Sequence, residues 1–337
     1  MDNERIRIVR ADAIDFLQSL PPGSASLVFG SPPYEKARLY LEDGEDLGVA
    51  RDTETWVAWM VEVFKASLRA CNGLVAFVVE GQTRDYKYSC GPALLMADLH
   101  RADINLRKPL IFHRVGIPGS GGPDWLRNDW EWIICATNGG RLPWSDNTAM
   151  GDTPKYGPGG EMSNRTQNGS RVNAFGMTGT VDGQSGHKAR KRQGYFRHSE
   201  DKTTVKGASG HDRDICAIAN PGNAVERTYT TSEVREMLEL ESDYIHCVVG
   251  GGHMGESGQF AADNEAPFPE DLPEFFVKSF CQPDGLVVDP FLGSGTTGAV
   301  AVRHGRRFAG CDIRQSQVDL ATRRLAVETP MSLFKEE

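Results

Sequence analysis

A chain of 337 residues with 39% hydrophobic content can bury one large α/β core and still carry an insertion of domain size. The first thirty residues lack a charged segment followed by an apolar one, and no window approaches the ~20 apolar residues that cross a bilayer, which argues against a secreted or membrane protein. The seven cysteines, at 71, 90, 135, 216, 247, 281 and 311, show no Cys-x-x-Cys spacing, so a zinc cluster is disfavoured and a soluble protein of a reducing cytoplasm is expected.

The net charge of −9 argues against general stickiness for polyanions, but its distribution is uneven. Between Gly151 and Asp214 there are eleven Lys and Arg against seven Asp and Glu, which puts a locally basic stretch on an acidic body.

Arg5 to Arg10 alternates charge with Ile6, Ile8 and Val9 and predicts a short strand. A helix over Ile14 to Leu20 follows, with Asp12 as its N-cap. Pro21-Pro22-Gly23-Ser24 turns the chain, and the apolar run Ala25 to Phe29 predicts a second strand, so strand, helix and strand predict a parallel pair. That strand stops at Gly30-Ser31-Pro32-Pro33-Tyr34. Consecutive prolines lock φ and supply no N–H, which holds the nearby carbonyls out of a sheet ladder. Ser31 and the carbonyl between the prolines can then accept hydrogen bonds from an amino group, while Tyr34 offers a ring on which a flat heterocycle can stack. Further on, Trp56 to Ala70 predicts a helix closed by Cys71-Asn72-Gly73, and Leu74 to Val79 predicts a central parallel strand. A helix around Pro92 to Leu99 and strands at Leu110 to His113 and Trp130 to Cys135 complete this first block.

From Arg141 the texture changes. Twelve glycines fall between Gly151 and Asp214, with almost no periodic apolar pattern, so this part is expected to be irregular. Within it Lys188, Arg190, Lys191, Arg192, Tyr195 and Arg197 interleave cations with aromatics, a composition suited to phosphates and stacked bases, although an isolated basic run is more simply a solvated loop. A helix over Ser232 to Leu240, an extended segment over Tyr244 to Val249 and a helix over Pro273 to Phe280 follow.

The last ninety residues hold a second motif. Leu286 to Asp289 predicts a buried strand, Pro290-Phe291-Leu292-Gly293-Ser294-Gly295 a glycine-rich turn, and Thr296 the start of a helix running through Val302. Arg307 to Asp312 is the next strand and ends in a carboxylate 23 positions after Asp289. Gly293, Gly295 and Gly298 also fit the dinucleotide fingerprint, so a nicotinamide cofactor stays open, whereas no Gly-Lys-Ser/Thr supports a P-loop. Two features favour S-adenosylmethionine. Asp289-Pro290-Phe291 puts a carboxylate and a ring where a cationic methionine end and an adenosine would lie, and the short stretch after Asp312 has room for one helix over Gln315 to Val327 but not for the rest of a doubly wound sheet. The missing strands then come from the N-terminal block.

Taken with Ser31-Pro32-Pro33-Tyr34, this chain resembles the β-class amino-methyltransferases of DNA, the family that joins N4-cytosine and N6-adenine enzymes. The resemblance covers roughly residues 5 to 140 and 245 to 328. It implies an α/β, circularly permuted Rossmann-like S-adenosylmethionine-dependent methyltransferase fold with a mixed seven-stranded sheet. A catalytic half at 1–140 and a cofactor half at 245–337 would flank a target-recognition insert at 141–244. It implies catalytic roles for Ser31, Pro32, Pro33 and Tyr34, and cofactor contacts from Asp12, Ala13, Gly30, Phe268, Pro269, Asp289, Pro290, Phe291, Gly293, Ser294, Gly295, Thr296 and Asp312. Among these, Asp12 would lie near the adenine, Asp312 at the ribose hydroxyls, and Phe268-Pro269 over the methionine moiety. DNA contacts would come from Lys188, Arg190, Lys191, Arg192, Tyr195 and Arg197.

The partner implied is double-stranded DNA, with a homodimer and a cognate restriction endonuclease as further partners, in a bacterial or phage-encoded setting. Ser31 favours N4-methylcytosine, since adenine members mostly carry Asp or Asn there. Asn138 stands where many members have Lys and is given no catalytic role. An NAD oxidoreductase, a non-catalytic DNA-binding relative, and methyltransferases of protein glutamine or RNA are the alternatives. The last of these usually place the cofactor motif first.

Overall fold

The computed structural model describes residues 5–35, 41–42, 45–46, 50–113, 128, 130–146, 148–150, 224–226 and 269–328. The chain divides into two compact units, Met1–Leu142 with Gly222–Glu337, and Pro143–Pro221, and every described helix and strand belongs to the first.

The elements of that unit run β1 (Ile6–Arg10), α1 (Ala13–Ser19), β2 (Ala25–Gly30), β3 (Leu41–Glu42), β4 (Glu45–Asp46), α2 (Thr53–Ala70), β5 (Cys71–Val79), β6 (Thr83–Arg84), β7 (Lys87–Tyr88), α3 (Gly91–Arg101), β8 (Asn105–Leu106), β9 (Leu110–His113) and β10 (Trp130–Thr137). After β11 (Ala224–Glu226) come α4 (Asp271–Phe280), β12 (Leu286–Asp289), α5 (Thr296–Arg303), β13 (Arg307–Asp312) and α6 (Gln315–Glu328). Two of the helices, α1 and α2, start at an aspartate side-chain cap. Asp12 Oδ1 accepts the Ile14 and Asp15 amides at 2.8 and 3.4 Å, and Asp52 Oδ1 accepts that of Thr55 at 2.8 Å.

One sheet organises the molecule, in the order β1-β13-β12-β2-β5-β10-β9-β11, with β8 beside β10. From β1 to β5 every pairing is parallel, and β10 then runs antiparallel to β5, β8 and β9. Side chains alternate between its faces. Val28 packs in the cluster formed with α1, α2 and α3, whereas Phe29 stacks on Phe276 of α4 with ring centroids 4.6 Å apart. Both faces are therefore covered, which is why β2 is buried along its whole length and reads as an unbroken apolar run.

Three expectations need correction. The parallel pair expected between the first two strands does not form, because the two C-terminal strands β13 and β12 lie between them. This is the permutation in physical form: the last strands of the chain complete the centre of a sheet whose flanks the first block supplies. Second, Cys71 caps α2 as expected, its amide donating to the Ser67 carbonyl, but Cys71-Asn72-Gly73 is not a separate turn and already belongs to β5. Gly73 is needed there because a Cβ would sit 1.9 Å from the Ser26 carbonyl oxygen, at the point where β2 and β5 shift register. Third, the sheet has nine strands rather than seven. The seven expected ones are present, and the two- and three-residue strands β8 and β11 are too short to show a periodicity. β11 falls inside the stretch expected as an insert, yet pairs with β9 in parallel. The segments expected at Ser232 to Leu240 and Tyr244 to Val249 lie outside the described residues.

Candidate active site

Parallel strands end on the same side, so the order of the sheet lays out the site. Reading across their carboxyl ends gives Asp12 after β1, Asp312 on β13, Asp289 on β12, then Gly30 and Ser31 on and after β2. The two motifs, more than 250 residues apart in sequence, thus meet on adjacent strands, with Val287 and Val288 in register with Leu27 and Val28. Contact is close. A Cβ on Gly30 would lie 2.4 Å from Asp289 Oδ1, so glycine at this position is what lets the carboxylate stand beside the start of the prolyl loop.

Asp289 is 1% exposed and accepts the Phe291 amide at 2.9 Å. Burial pushes its pKa up to about 7, against the opposing pull of the Phe291 amide and the Thr297 hydroxyl, and the nearby Asp312 charge adds to the rise. Asp312 is itself raised by burial, while its Oδ2 accepts the Gly293 amide at 3.0 Å and its Oδ1 the Arg314 amide at 2.9 Å. These bonds fix the glycine turn, in which Gly293 and Gly295 take φ of 49° and 77°, values that glycine adopts freely. Behind the turn lies Arg324 of α6, 1% exposed. Its guanidinium donates to Thr296 Oγ1 at 2.9 Å, to Ser294 Oγ at 3.4 Å and to Glu270 Oε1 at 2.6 Å. Glu270, next to Pro269, also receives Arg303 Nη1 at 2.6 Å. Burial alone would raise its pKa, but the two guanidinium groups outweigh it and hold the carboxyl below its ordinary value.

Phe291 leans its edge on Trp59 and Phe77, with centroids 5.7 Å away in both cases, and the Arg51 guanidinium lies 4.2 Å from the Trp59 ring centre. Asp12 uses Oδ1 for capping α1, and the Ala11 amide ties this end of β1 to the Asp312 carbonyl at 3.1 Å. Ala13, the first residue of α1, is buried beside it. Pro290 carries the chain from Asp289 into the turn, with its carbonyl 3.4 Å from Cys311 Sγ.

On the prolyl side, Ser31 Oγ lies 3.4 Å from both Tyr34 Oη and the Val78 carbonyl of β5. The Tyr34 hydroxyl donates to Glu131 Oε2 at 3.0 Å, and Trp56 Nε1 donates to the Pro33 carbonyl at 2.8 Å. Pro32 is buried. The loop is therefore held by α2, β5 and β10 together.

Of the expected site residues, the structure brings Gly30 to Tyr34 together with Asp289 to Thr296, Asp312, Asp12 and Ala13, and Pro269 stands next to Glu270 at the start of α4. Phe268 and the basic positions Lys188, Arg190, Lys191, Arg192, Tyr195 and Arg197 lie outside the described residues. Asn138 has a structural task, donating from Nδ2 to the Leu68 and Cys71 carbonyls at 2.9 and 2.8 Å. Sequence reasoning missed Trp56, Trp59, Glu131, Glu270 and Arg324. Trp56 and Trp59 carried a signal, since with Met60 they form a helical stripe at spacing i, i+3, i+4.

A parallel sheet with a glycine turn on one strand and a short polar loop on its neighbour, with carboxylates along the same edge, is the frame of a nucleotide-type cofactor site in an α/β enzyme. The fold is shared with the cytosine-N4-specific PvuII DNA methyltransferase, at a TM-score of 0.57 and 17% identity, over 95% of this chain and 88% of that one. In sequence, a DNA methylase family model covering N6 and N4 enzymes matches residues 25–323, and the chain belongs to that family. It is 44% identical to the type II methyltransferase M.ScaI of Streptomyces caespitosus over 69 residues, a match that spans 20% of this chain and 22% of that protein. It is 39% identical to the type II methyltransferase M2.DpnII of Streptococcus pneumoniae over 140 residues, 40% of this chain and 45% of the relative. Against the type II methyltransferase M.SfiI of Streptomyces fimbriatus the match is longer and weaker, 21% over 90% of this chain and 87% of the relative. No helix among the described residues is long and apolar enough to cross a membrane.

Proposed function

We propose that this protein transfers a methyl group from S-adenosylmethionine to the N4 amino group of cytosine in duplex DNA, with the base extruded into the Ser31 to Tyr34 loop. The single observation that supports this best is the Gly30–Asp289 approach, because a buried carboxylate pressed against the start of the amino-binding loop couples a cation site to an amine site. The residues present fit the cofactor. Asp289, whose pKa burial raises to about 7, suits the cationic methionine end as a buried carboxylate awaiting a counter-charge, the Phe291 ring suits an adenosine, and Asp312, whose oxygens already accept two amides, keeps lone pairs for ribose hydroxyls. Asp12, Ala13 and the Phe268-Pro269 segment complete this reading. When bound, S-adenosylmethionine supplies an electrophilic methyl group on a sulfonium.

The chain's own residues do the rest. A base inside a duplex must leave the stack, at a cost of a few kcal/mol that pocket contacts offset. Tyr34, its hydroxyl fixed by Glu131, gives the extruded ring a plate of set orientation. Ser31 Oγ and the Pro32 carbonyl accept the two amino hydrogens, which directs the nitrogen lone pair away from the ring plane. After transfer the nitrogen carries one proton too many. A neutral serine cannot keep it, and the hydroxyls of Ser31 and Tyr34 lead toward the Glu131 carboxylate over 3.4 and 3.0 Å. The negative charge that a serine loop lacks is thus supplied two hydrogen bonds away.

Residues 141–244 are proposed as the target-recognition region, with the Lys188 to Arg197 run on phosphates. Neutralising Lys188, Arg190, Lys191 and Arg192 together is expected to flatten the salt dependence of DNA binding while cofactor binding persists. The base is decided by nucleoside mass spectrometry of DNA methylated in vitro. N4-methylcytosine is expected, and N6-methyladenine without it would transfer the proposal to adenine.

A further inference from the structure

The stretch from Glu80 to Gly91 contributes no group to the cofactor or amine site. It leaves the carboxyl end of β5, the strand beside β2, and turns back as the β6–β7 hairpin, in which Thr83 pairs with Tyr88 and Arg84 with Lys87 around a two-residue turn, Asp85-Tyr86. Both turn residues have positive φ, 48° and 62°. That is the twist a tight hairpin needs, but the second place is normally glycine, and a bulky side chain is disfavoured there. Tyr86 nevertheless occupies it, 89% exposed. A second local rule is broken one step below. Arg84 and Lys87, both exposed, stand directly opposite each other, where like charges repel, with Arg84 Nε also donating to Gln82 Oε1 at 3.0 Å. A large exposed ring held at positive φ, where glycine is the ordinary choice, marks a functional element.

The base of the hairpin is as tightly held as its tip is exposed. Ser89 donates its amide to the Gln82 carbonyl at 2.9 Å, and the Ser89 hydroxyl and the Gln82 amide both donate to Glu35 Oε1, the latter at 3.3 Å. Glu35 is buried and directly follows Tyr34. The Tyr88 hydroxyl donates to Glu80 Oε1 at 3.0 Å. The hairpin is therefore registered on the catalytic loop itself, and from Gln82 its tip reaches roughly 10 Å outward.

We infer that this hairpin is a duplex-DNA contact in which Tyr86 enters the base stack where the target base has left it, while Arg84 and Lys87 take the flanking phosphates. The inference rests on the DNA methylation reading. Extrusion leaves each neighbour of the target with one uncovered face, and an aromatic ring restores that stacking whatever the neighbouring sequence. Phosphates also remove the repulsion between the two cations. An exposed ring at the tip with two exposed cations one step below it fits a partner that is a stacked polyanion.

The full-length Tyr86→Gly variant separates this from a structural role, because it removes the ring and relieves the backbone at once. Its melting temperature is expected to rise by roughly 2 °C. Its kcat/KM for tritium-methyl transfer to a plasmid library of random inserts is expected to fall roughly ten- to hundredfold, with calorimetric affinity for S-adenosylmethionine unchanged. A ring serving only the fold would lose stability and activity together. Wild-type transfer by the variant, or a loss of stability, overturns the stacking role. The Arg84→Gln, Lys87→Gln double variant is expected to lower the log–log salt slope of plasmid binding by roughly 1 to 2, and an unchanged slope overturns the phosphate contacts. If the wild-type protein methylates none of the library, the methylation reading fails first. If it does so and Tyr86→Gly matches it, only the hairpin falls.

Discussion

The two halves of the site are built on different principles. Around Asp289 and Asp312 the geometry is written in consecutive residues: a strand, a turn whose amides bond the carboxylates of its own flanking strands, and a helix start. Around Ser31 the loop is only five residues long, and its shape is imposed by side chains from elsewhere, Trp56 on α2 and Glu131 on β10. The cofactor half is a local motif and the amine half is a tertiary assembly. Damage to the first should therefore show in binding and stability, and damage to the second in turnover.

The largest effect is expected on the first half. On the proposed function, Asp289→Ala removes the carboxylate that would pair with the cationic end of the cofactor and is expected to weaken S-adenosylmethionine binding by about 2–5 kcal/mol, thirtyfold or more, by calorimetry. The pH dependence follows from the carboxyl pKa of about 7 in the free protein. A bound cation favours the ionised form, so binding releases a proton. Affinity then rises about tenfold per pH unit below 7 and levels off above it, and Asp289→Asn flattens the profile. In the unliganded protein the same group works the other way. From about 4 to 7 the native state keeps a proton that the unfolded chain has released, so stability attributable to Asp289 falls as pH rises. A pH-independent affinity in the wild type would break the comparison at its root. Arg324→Met comes next. It leaves Glu270 with one guanidinium and the Ser294 to Thr296 turn without its support, and a loss of about 3 kcal/mol is expected in urea unfolding.

This contrast also explains what could be read in the chain. The strand, glycine turn and strand that place Asp289, Gly293, Gly295 and Asp312 were legible because each of these residues interacts with a neighbour in sequence or with the very next strand of a standard unit. That the C-terminal strands share a sheet with the N-terminal block was legible from the position of this motif in the chain, but their place between β1 and β2 was not. Glu131 was not, since one glutamate in a Trp-rich strand looks the same whether it faces solvent or Tyr34, and only the antiparallel seating of β10 against β5 brings it to the loop. Arg324 was hidden for another reason. An arginine on an amphipathic C-terminal helix is ordinarily solvated, and its burial follows from Glu270, 54 positions earlier, a pairing with no local signature. The end of α2 at Cys71 was legible, but Gly73 reads as part of the turn because Asn-Gly after a helix ordinarily is one, whereas here it serves a close approach between two strands.

The amine half is tested by turnover. Glu131→Gln keeps the hydrogen bond to Tyr34 Oη within reach but removes the charge, so kcat is expected to fall at least tenfold with little change in the KM for S-adenosylmethionine. Equal kcat would mean that the proton leaves by another route and that Glu131 only orients the ring.

The smallest effect sharpens the comparison most, because it alters the loop without touching a reacting group. Trp56 is 1% exposed, and its ring belongs to the core cluster of α2, so Trp56→Phe retains most of the packing. What it removes is the Nε1 donor to the Pro33 carbonyl. A carbonyl left without that donor costs about 1–3 kcal/mol if it stays buried, but the loop can also rotate it toward water, since Pro33 is half-buried rather than sealed. Rotation would carry the adjacent Pro32 and Tyr34 with it. A modest loss in unfolding free energy, about 1 kcal/mol, is therefore expected together with a larger proportional drop in kcat, while the affinity for S-adenosylmethionine, which the proposed function assigns to β12 and β13, is expected to stay at its wild-type value. Loss of cofactor affinity in this variant would show that the two halves are one mechanical unit, joined through the Gly30–Asp289 approach more rigidly than their separate construction implies.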